Sequence, residues 1–341
     1  MRDLVTVLMP AYNCENYIQE SIDSILNQTF SDFKFLIIDD GSTDATKEVI
    51  NSYPDPRIQF VNSPTNNGYI HCLNQGIEMI SSKYIVRMDA DDISLPQRLE
   101  KQIEFMEKNS NIAVCGCGKI NFLDGHPETE TEVFNITDSR ELLFSSLFNT
   151  SIPHPSAIIR RSILSQNNIK YNEHYYYAED KAMWLDLSKF GELANLPEYL
   201  IKYRLHKNQV STTKHLMQRN NSLEKTKLAL NDYGIDLAQE EMDALHFICY
   251  PQCCTSLKDL YQVESLINKM IYFFKISNQF DIQFVENFLF NRLLMNVTWS
   301  TPIGLEIIGF IKGSKFLNLN MFDVKFFVKS ILKRKTRGLF P

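Results

Sequence analysis

With 341 residues, 44% of them hydrophobic and 12% aromatic, the chain is long and apolar enough for one large core and an appendage, which excludes a disordered protein. Its formal net charge of −6 argues against a nucleic-acid binder, for which a broad basic surface is expected. No apolar run reaches the length of a bilayer span, and the first residues lead directly into a strand without room for a signal peptide. The expected location is therefore the cytoplasm, with peripheral contact at the inner face of the cell membrane left open.

Residues 4–9 read as a first strand, stopped by Pro10 in Pro10-Ala11-Tyr12-Asn13 because proline donates no ladder bond. Apolar spacing at Ile18, Ile22, Ile25 and Leu26 predicts a helix over 18–27. A second strand over 33–38 runs into Asp39-Asp40-Gly41-Ser42-Thr43-Asp44. There Gly41 permits a tight turn, and Ser42 or Thr43 can cap a helix that begins near Ala45. A third strand over 58–61 leads through Asn66-Asn67-Gly68 into a helix over 69–80, and a fourth ends at Met88. A helix over 96–108 and a strand over 111–120 follow. Strand and helix alternate, which predicts an α/β fold with a doubly wound, mainly parallel sheet.

Residues 121–150 are polar and read as an excursion. The stretch from His154 to Arg161 reads as a strand leading to a helix, 183–187 as helical, and 200–205 as a strand ending near His206. From about residue 215 apolar residues recur at helical spacing, as in Leu223/Leu230, Leu257/Leu260 and Phe284/Phe288. Several helices are expected over 215–341, with no fixed-period repeat. The last 31 residues carry eight Lys and Arg against one acid, Asp323, and Val324, Phe327, Val328 and Ile331 share a helical face. This segment, 322–337, is either an interfacial membrane helix or an amphipathic helix docked on the protein.

The stretch Tyr84-Ile85-Val86-Arg87-Met88-Asp89-Ala90-Asp91-Asp92 carries the most chemistry. Asp89 and Asp91 are two apart, so in an extended chain they point the same way. Clustered carboxylates repel unless a cation or a hydrogen-bond network sits among them. Hard oxygen ligands at a strand end suit Mg²⁺ or Mn²⁺; the other reading is a solvated acidic turn in which Asp92 caps the next helix. Tyr12, Asp40, Asn67 and Asp89 all lie at carboxyl ends of strands, where such sheets bind ligands. The seven cysteines include no C-x-x-C pair at zinc spacing. Cys115 and Cys117 face one side of a strand and read as buried apolar residues ahead of a redox pair.

The strings P-A-Y-N, D-D-G-S-T-D, N-N-G followed by L-N-Q-G, and R-M-D-A-D-D-I-S-L-P-Q-R-L-E-K-Q occur in that order. Together they resemble glycosyltransferase family 2, inverting enzymes of GT-A fold, of the bacterial surface-glycan type, over about residues 4–212. The resemblance implies a GT-A catalytic domain over 1–214, with a nucleotide-binding half (1–120) and an acceptor half (121–214), and a helical C-terminal region over 215–341. It implies a transferase that moves a sugar from a nucleotide-sugar, a UDP-sugar first, to a hydroxyl of a glycan or lipid-linked glycan. Mn²⁺ or Mg²⁺ would be held by Asp91, Asp89 and His206, with Asp89 meeting ribose, metal or both. Pro10, Tyr12, Asn13, Asp40, Asn67, Asn74, Arg87 and Asp89 would bind the donor, with Asp40 accepting the imide N–H of uracil and Tyr12 stacking on the ring.

Glu179-Asp180 ahead of Trp184 resembles the family's E-D-x-x-x-W, with Asp180 as general base beside Glu179. Acids at a helix N-terminus interact favourably with the macrodipole, which would lower the pKa of Asp180. Trp184 either stacks on a sugar or fills the core. One departure is plain: the family's A-R-N-x-G reads Cys72-Leu73-Asn74-Gln75-Gly76, so the basic residue is absent at 73, and His71 or Arg87 is left to meet the diphosphate. Two other classes remain open. A nucleotidyltransferase would need a Gly-rich basic loop near strand one, which Pro10-Ala11-Tyr12-Asn13 does not offer. A catalytically inactive glycan- or membrane-surface module would not need Asp89, Asp91 and Asp180 together. The sequence sets no oligomeric state.

Overall fold

The computed structural model describes residues 3–133, 135–207, 209, 214–300, 303–304 and 306–317. The 322–337 segment lies outside the described residues. The chain divides into two compact units, Met1–Lys225 and Thr226–Pro341.

In the first unit β1 (Val5–Ala11), β2 (Lys34–Asp39), β3 (Ile58–Asn62) and β4 (Tyr84–Arg87) pair in parallel in the order β3-β2-β1-β4. Between them run α1 (Ile18–Leu26), α2 (Thr46–Asn51) and α3 (Tyr69–Met79). The short β5 (Ile93–Ser94) and α4 (Arg98–Lys108) follow, then the long β6 (Ile112–Leu123) and its antiparallel partner β7 (His126–Val133). After α5 (Ser139–Phe148) come β8 (Ile158–Arg160), α6 (Arg161–Asn167), α7 (Glu179–Leu187) and β9 (Glu192–Leu205). β8 is antiparallel to both β4 and β6, while β6 and β9 pair in parallel. The sheet is thus parallel-rich but mixed.

Both faces of the sheet are covered, which is why its strands read as near-continuous apolar runs. Val5, Val7 and Met9 face one core with Ile18, Ile22 and Ile25 of α1. Leu8, Leu36 and Ile38 face the other, with Ile70 and Leu73 of α3 and Trp184 of α7.

Several local expectations change. Pro10 does not stop β1; it lies inside it, opposite Ile38. Pairing with β4 ends at Leu8, whose carbonyl accepts from Met88 N. The N–H that Pro10 lacks would point to that same side, where no ladder bond is due. Ser42 does not cap α2; its N–H and hydroxyl go to Asp39, and Asp44 accepts from Thr46 N instead. Asp92 does not cap the next helix, because α4 starts after Gln97. The polar 121–150 stretch is ordered as the end of β6, the β7 hairpin strand and α5.

In the second unit the described helices are α9 (Met242–Cys249), α10 (Leu257–Ser277), α11 (Ile282–Trp299) and α12 (Glu306–Gly313), after α8 (His215–Asn231), which begins in the first unit. Ser256 caps α10 by accepting from Asp259 N, and Asp281 caps α11 by accepting from Phe284 N. Leu260, Val263, Ile267, Val285, Leu289 and Leu293 are buried along their inner faces.

Candidate active site

The carboxyl ends of β1, β2 and β4, the β6–β9 ribbon and the start of α7 enclose a cleft of about 850 Å³. That is the size of a pocket for a nucleotide-sized ligand. Pro10, Tyr12, Asn13, Asp40, Arg87, Asp89, Asp91, Glu179, Asp180 and His206 all line it.

On the nucleotide side Tyr12 is 47% exposed and open to the cleft. Asn13 takes a left-handed backbone (φ 46°), and its Oδ1 accepts from Thr43 N at 2.9 Å. The short polar side chain of asparagine tolerates this conformation. Asp40 is buried, and its two oxygens accept from Asn67 N and Gly68 N, each at 2.8 Å. It therefore fixes the 67–68 turn; any contact with a ligand uses its remaining lone pairs. Gly68 has φ 94°, and a Cβ there would stand 2.5 Å from the Tyr176 hydroxyl, so only glycine fits.

Two expected donor contacts are not brought to the cleft. The side chain of Asn67 donates to Thr65 O on the surface; its backbone, not its amide, serves the site. Asn74 is used structurally: its amide donates to Tyr171 O and accepts from Tyr171 N, both at 2.9 Å. Neither residue lines the cleft. His71 is exposed and also lies outside it, and Leu73 is fully buried in the core.

The acidic turn after β4 gathers Asp89, Asp91 and Asp92, whose ligand atoms all lie within 4.8 Å of one another. Arg87 turns back to donate to Met88 O and to pair with Asp89. Asp92 is fully buried behind the cleft wall, accepting from Arg204 N at 2.9 Å, while its Oδ2 has no partner. Burial, then the neighbouring Asp91 charge, pushes the Asp92 carboxyl well above its usual range, and burial also raises Asp89. His206 Nε2 meets Asp91 Oδ2 at 3.0 Å, and the buried Nδ1 has no partner. The ring packs on Tyr17 with centroids 4.8 Å apart. Arg204 donates from Nε to Asp91 O at 2.8 Å and from Nη1 to Asp124 at 2.9 Å, and also pairs with Glu20, clamping the acidic turn to the end of β9.

Glu179 and Asp180, which also line the cleft, open α7. Glu179 accepts from the Tyr69 hydroxyl at 2.5 Å and stands 3.6 Å from His154 Nδ1. Asp180 Oδ1 accepts from Lys181 N at 2.6 Å. Burial raises both carboxyls, Glu179 to about 8 and Asp180 to about 6. The expected lowering of Asp180 by the helix terminus is overturned, because desolvation outweighs the hydrogen bond from Lys181 N. Trp184 is a core residue: fully buried, it donates from Nε1 to Ile152 O at 3.1 Å.

Sequence reasoning missed Tyr69, His154, Tyr176 and Tyr177, which form the wall around Glu179. Tyr177 has φ 70°, its N–H donates to the Tyr69 hydroxyl at 3.1 Å, and the Tyr69 and Tyr177 rings stack with centroids 6.3 Å apart. A bulky residue at positive φ is an outlier typical of functional sites. The Tyr175-Tyr176-Tyr177 run was a visible signal of composition only. Cys115 and Cys117 are free and fully buried, in keeping with their apolar reading.

The family profile "Glycosyl transferase family 2" matches residues 6–167. An uncharacterized glycosyltransferase of Haemophilus influenzae is 36% identical over 252 residues, covering 69% of this chain and 76% of that one. A putative teichuronic acid biosynthesis glycosyltransferase, TuaG of Bacillus subtilis, is 31% identical over 216 residues, covering 62% and 83%. Among solved structures, S. aureus TarS 1-349 in complex with UDP-GlcNAc aligns with TM-score 0.56 at 16% identity, covering 91% of this chain and 92% of that one. A mannosyltransferase of Pyrobaculum calidifontis in complex with GDP-Man and Mn²⁺ aligns with TM-score 0.56 at 15% identity, covering 89% and 84%. At such identities the likeness speaks for the fold alone, and the fold is GT-A. The motif order and the sequence relatives carry the rest: the chain belongs to glycosyltransferase family 2 and is a transferase of glycan synthesis.

Proposed function

We propose that the protein is a metal-dependent inverting glycosyltransferase that moves a sugar from a nucleotide-sugar, a UDP-sugar first, to a hydroxyl of a glycan or lipid-linked glycan. The observation that carries this reading is that the acidic turn and Asp180 line one and the same cleft. The donor set fits Mn²⁺ or Mg²⁺: hard carboxylate oxygens gathered within 4.8 Å of one another, with an imidazole beside Asp91. Asp91, Asp89 and His206 would hold the ion, and it would supply Lewis-acid charge to the leaving diphosphate. UDP, UDP-GlcNAc and GDP-Man complexes of the structural neighbours support a nucleotide-sugar as donor.

The protein's own residues account for the remaining steps. Pro10, Tyr12, Asn13 and Asp40 form the wall on which the base and ribose rest, with Tyr12 free to stack. Asn67 and Asn74 receive no donor contact in this account. Arg87 orients Asp89. Asp180 takes the proton of the acceptor hydroxyl as that oxygen bonds the anomeric carbon and the bond to the diphosphate breaks on the opposite face. A base with a pKa near 6 is well matched to this task near neutrality. Glu179, kept neutral by burial and held by Tyr69, leaves the negative charge to Asp180. Residues 322–337 would touch an anionic membrane surface that carries the acceptor. A chain ending at Asn320 that floats with anionic liposomes as the full chain does would exclude that contact.

The deciding variant is Asp180→Asn. It is expected to bind nucleotide normally and to lose transfer by roughly 10²–10⁴-fold, the range for removal of a general base. Normal turnover by this variant, with Glu179→Gln inactive, would assign the role to the other carboxylate.

A further inference from the structure

A departing nucleoside diphosphate calls for cationic side chains as well as a metal, and the first half of this chain is short of them. Leu73 stands in the core, His71 is exposed outside the cleft, and Arg87 uses Nη1 on Met88 O and Nη2 on Asp89, leaving only its buried Nε without a partner. A different strand offers the missing charge. Lys119 of β6 lines the cleft. Its ammonium lies 4.0 Å from the centroid of the Tyr203 ring, and among the described residues it has no hydrogen bond or ion pair.

The backbone brings this about. Pairing of β6 with β9 runs Cys117↔Leu196, Gly118↔Tyr199 and Lys119↔Ile201, two register shifts that pass over Pro197 and Glu198 and then Leu200. Such irregularities re-aim side chains beside active sites. Gly118 makes room, because a Cβ there would stand 2.6 Å from the Tyr199 ring. Lys119 lies within electrostatic reach of Asp92 in the acidic turn and of Asp180 at the start of α7. Burial lowers its pKa, so an incoming anion would reinforce its charged form.

We propose that Lys119 binds the diphosphate of the nucleotide donor and stabilises it as the leaving group. The inference rests on the nucleotide-sugar reading above. An ammonium with three unused donors, held on an aromatic face, can turn to a diphosphate oxygen without breaking an ion pair.

The test is calorimetric titration of the full chain, in Mn²⁺, with UDP and GDP and separately with uridine and guanosine. Wild type, Lys119→Met, Lys119→Gln and Lys119→Arg are compared, with the nucleoside serving as an internal check that each cleft is folded. Lys119→Met and Lys119→Gln are expected to weaken nucleoside diphosphate binding by about tenfold or more, the loss of one charge-assisted hydrogen bond. Nucleoside binding should stay unchanged, and Lys119→Arg should restore most of the diphosphate affinity. Unchanged diphosphate affinity in Lys119→Met and Lys119→Gln overturns the inference, and a rise in acceptor KM alone would turn the ammonium towards the acceptor instead. Wild type that binds neither UDP nor GDP overturns the nucleotide-sugar reading itself, and the inference with it.

Discussion

Glu179 and Asp180 are chain neighbours with unequal surroundings. Glu179 is buried against Tyr69 and His154, whereas Asp180 keeps one edge open to the cleft. Burial raises both, but Glu179 further, so on raising the pH Asp180 loses its proton first. A base acts in its deprotonated form, so kcat/KM for transfer should rise with pH through a limb near 6 and be flat just above it. A pH–rate profile checks this; a limb near the ordinary aspartate value would mean that burial does not govern Asp180 in the working enzyme. The sequence made Asp180 visible through E-D-x-x-x-W, and it made the helix terminus visible too. It could not reveal desolvation, which arises only once the chain has folded around the start of α7, and so the expected direction of the shift was reversed. Asn74 misled for a similar reason. An asparagine in a motif looks free to bind a ligand until the backbone of Tyr171 is found to occupy it.

At the scale of elements, β1, β2 and β4 were legible because they are buried on both faces and read as apolar runs, and the half-buried edge strand β3 was legible through Ile58, Phe60 and Val61. β7 was not: His126–Val133 is mostly exposed, rich in Glu and Thr, and held by pairing with β6 rather than by burial. The first half of β9 was hidden by Asn195 and Pro197, the proline lying where the register with β6 shifts. In α3, position 73 shows how an element can override a motif. Leu73 is fully buried in the core formed with Leu8, Leu36 and Ile38 and does not reach the cleft. Leu73→Arg, which restores the family's motif letter, is therefore expected to gain no phosphate contact and to destabilise the fold by several kcal/mol, the cost of an unpaired buried charge. Thermal melting checks this; a variant with unchanged melting temperature and tighter nucleotide binding would mean that the side chain reaches the cleft.

At the scale of the whole molecule, the apolar period changes at about residue 215 from strand–helix alternation to helical spacing, whereas the two compact units meet at Lys225, inside α8. No described helix is long and apolar enough to cross a membrane. The residues proposed to bind the donor and to take the proton all lie in the first unit, drawn from β1, β2, β4, β6, β9 and α7. The central claim is that this cleft runs a cation-dependent transfer from a nucleotide-sugar. The most direct measurement is release of nucleoside diphosphate from a panel of UDP- and GDP-sugars, with Mn²⁺ or with chelator, by wild type and by Asp91→Asn. Release from at least one donor is expected to require the cation and to be lost in Asp91→Asn while the fold is retained. Equal release in chelator, or undiminished cation-dependent release by Asp91→Asn, would contradict it.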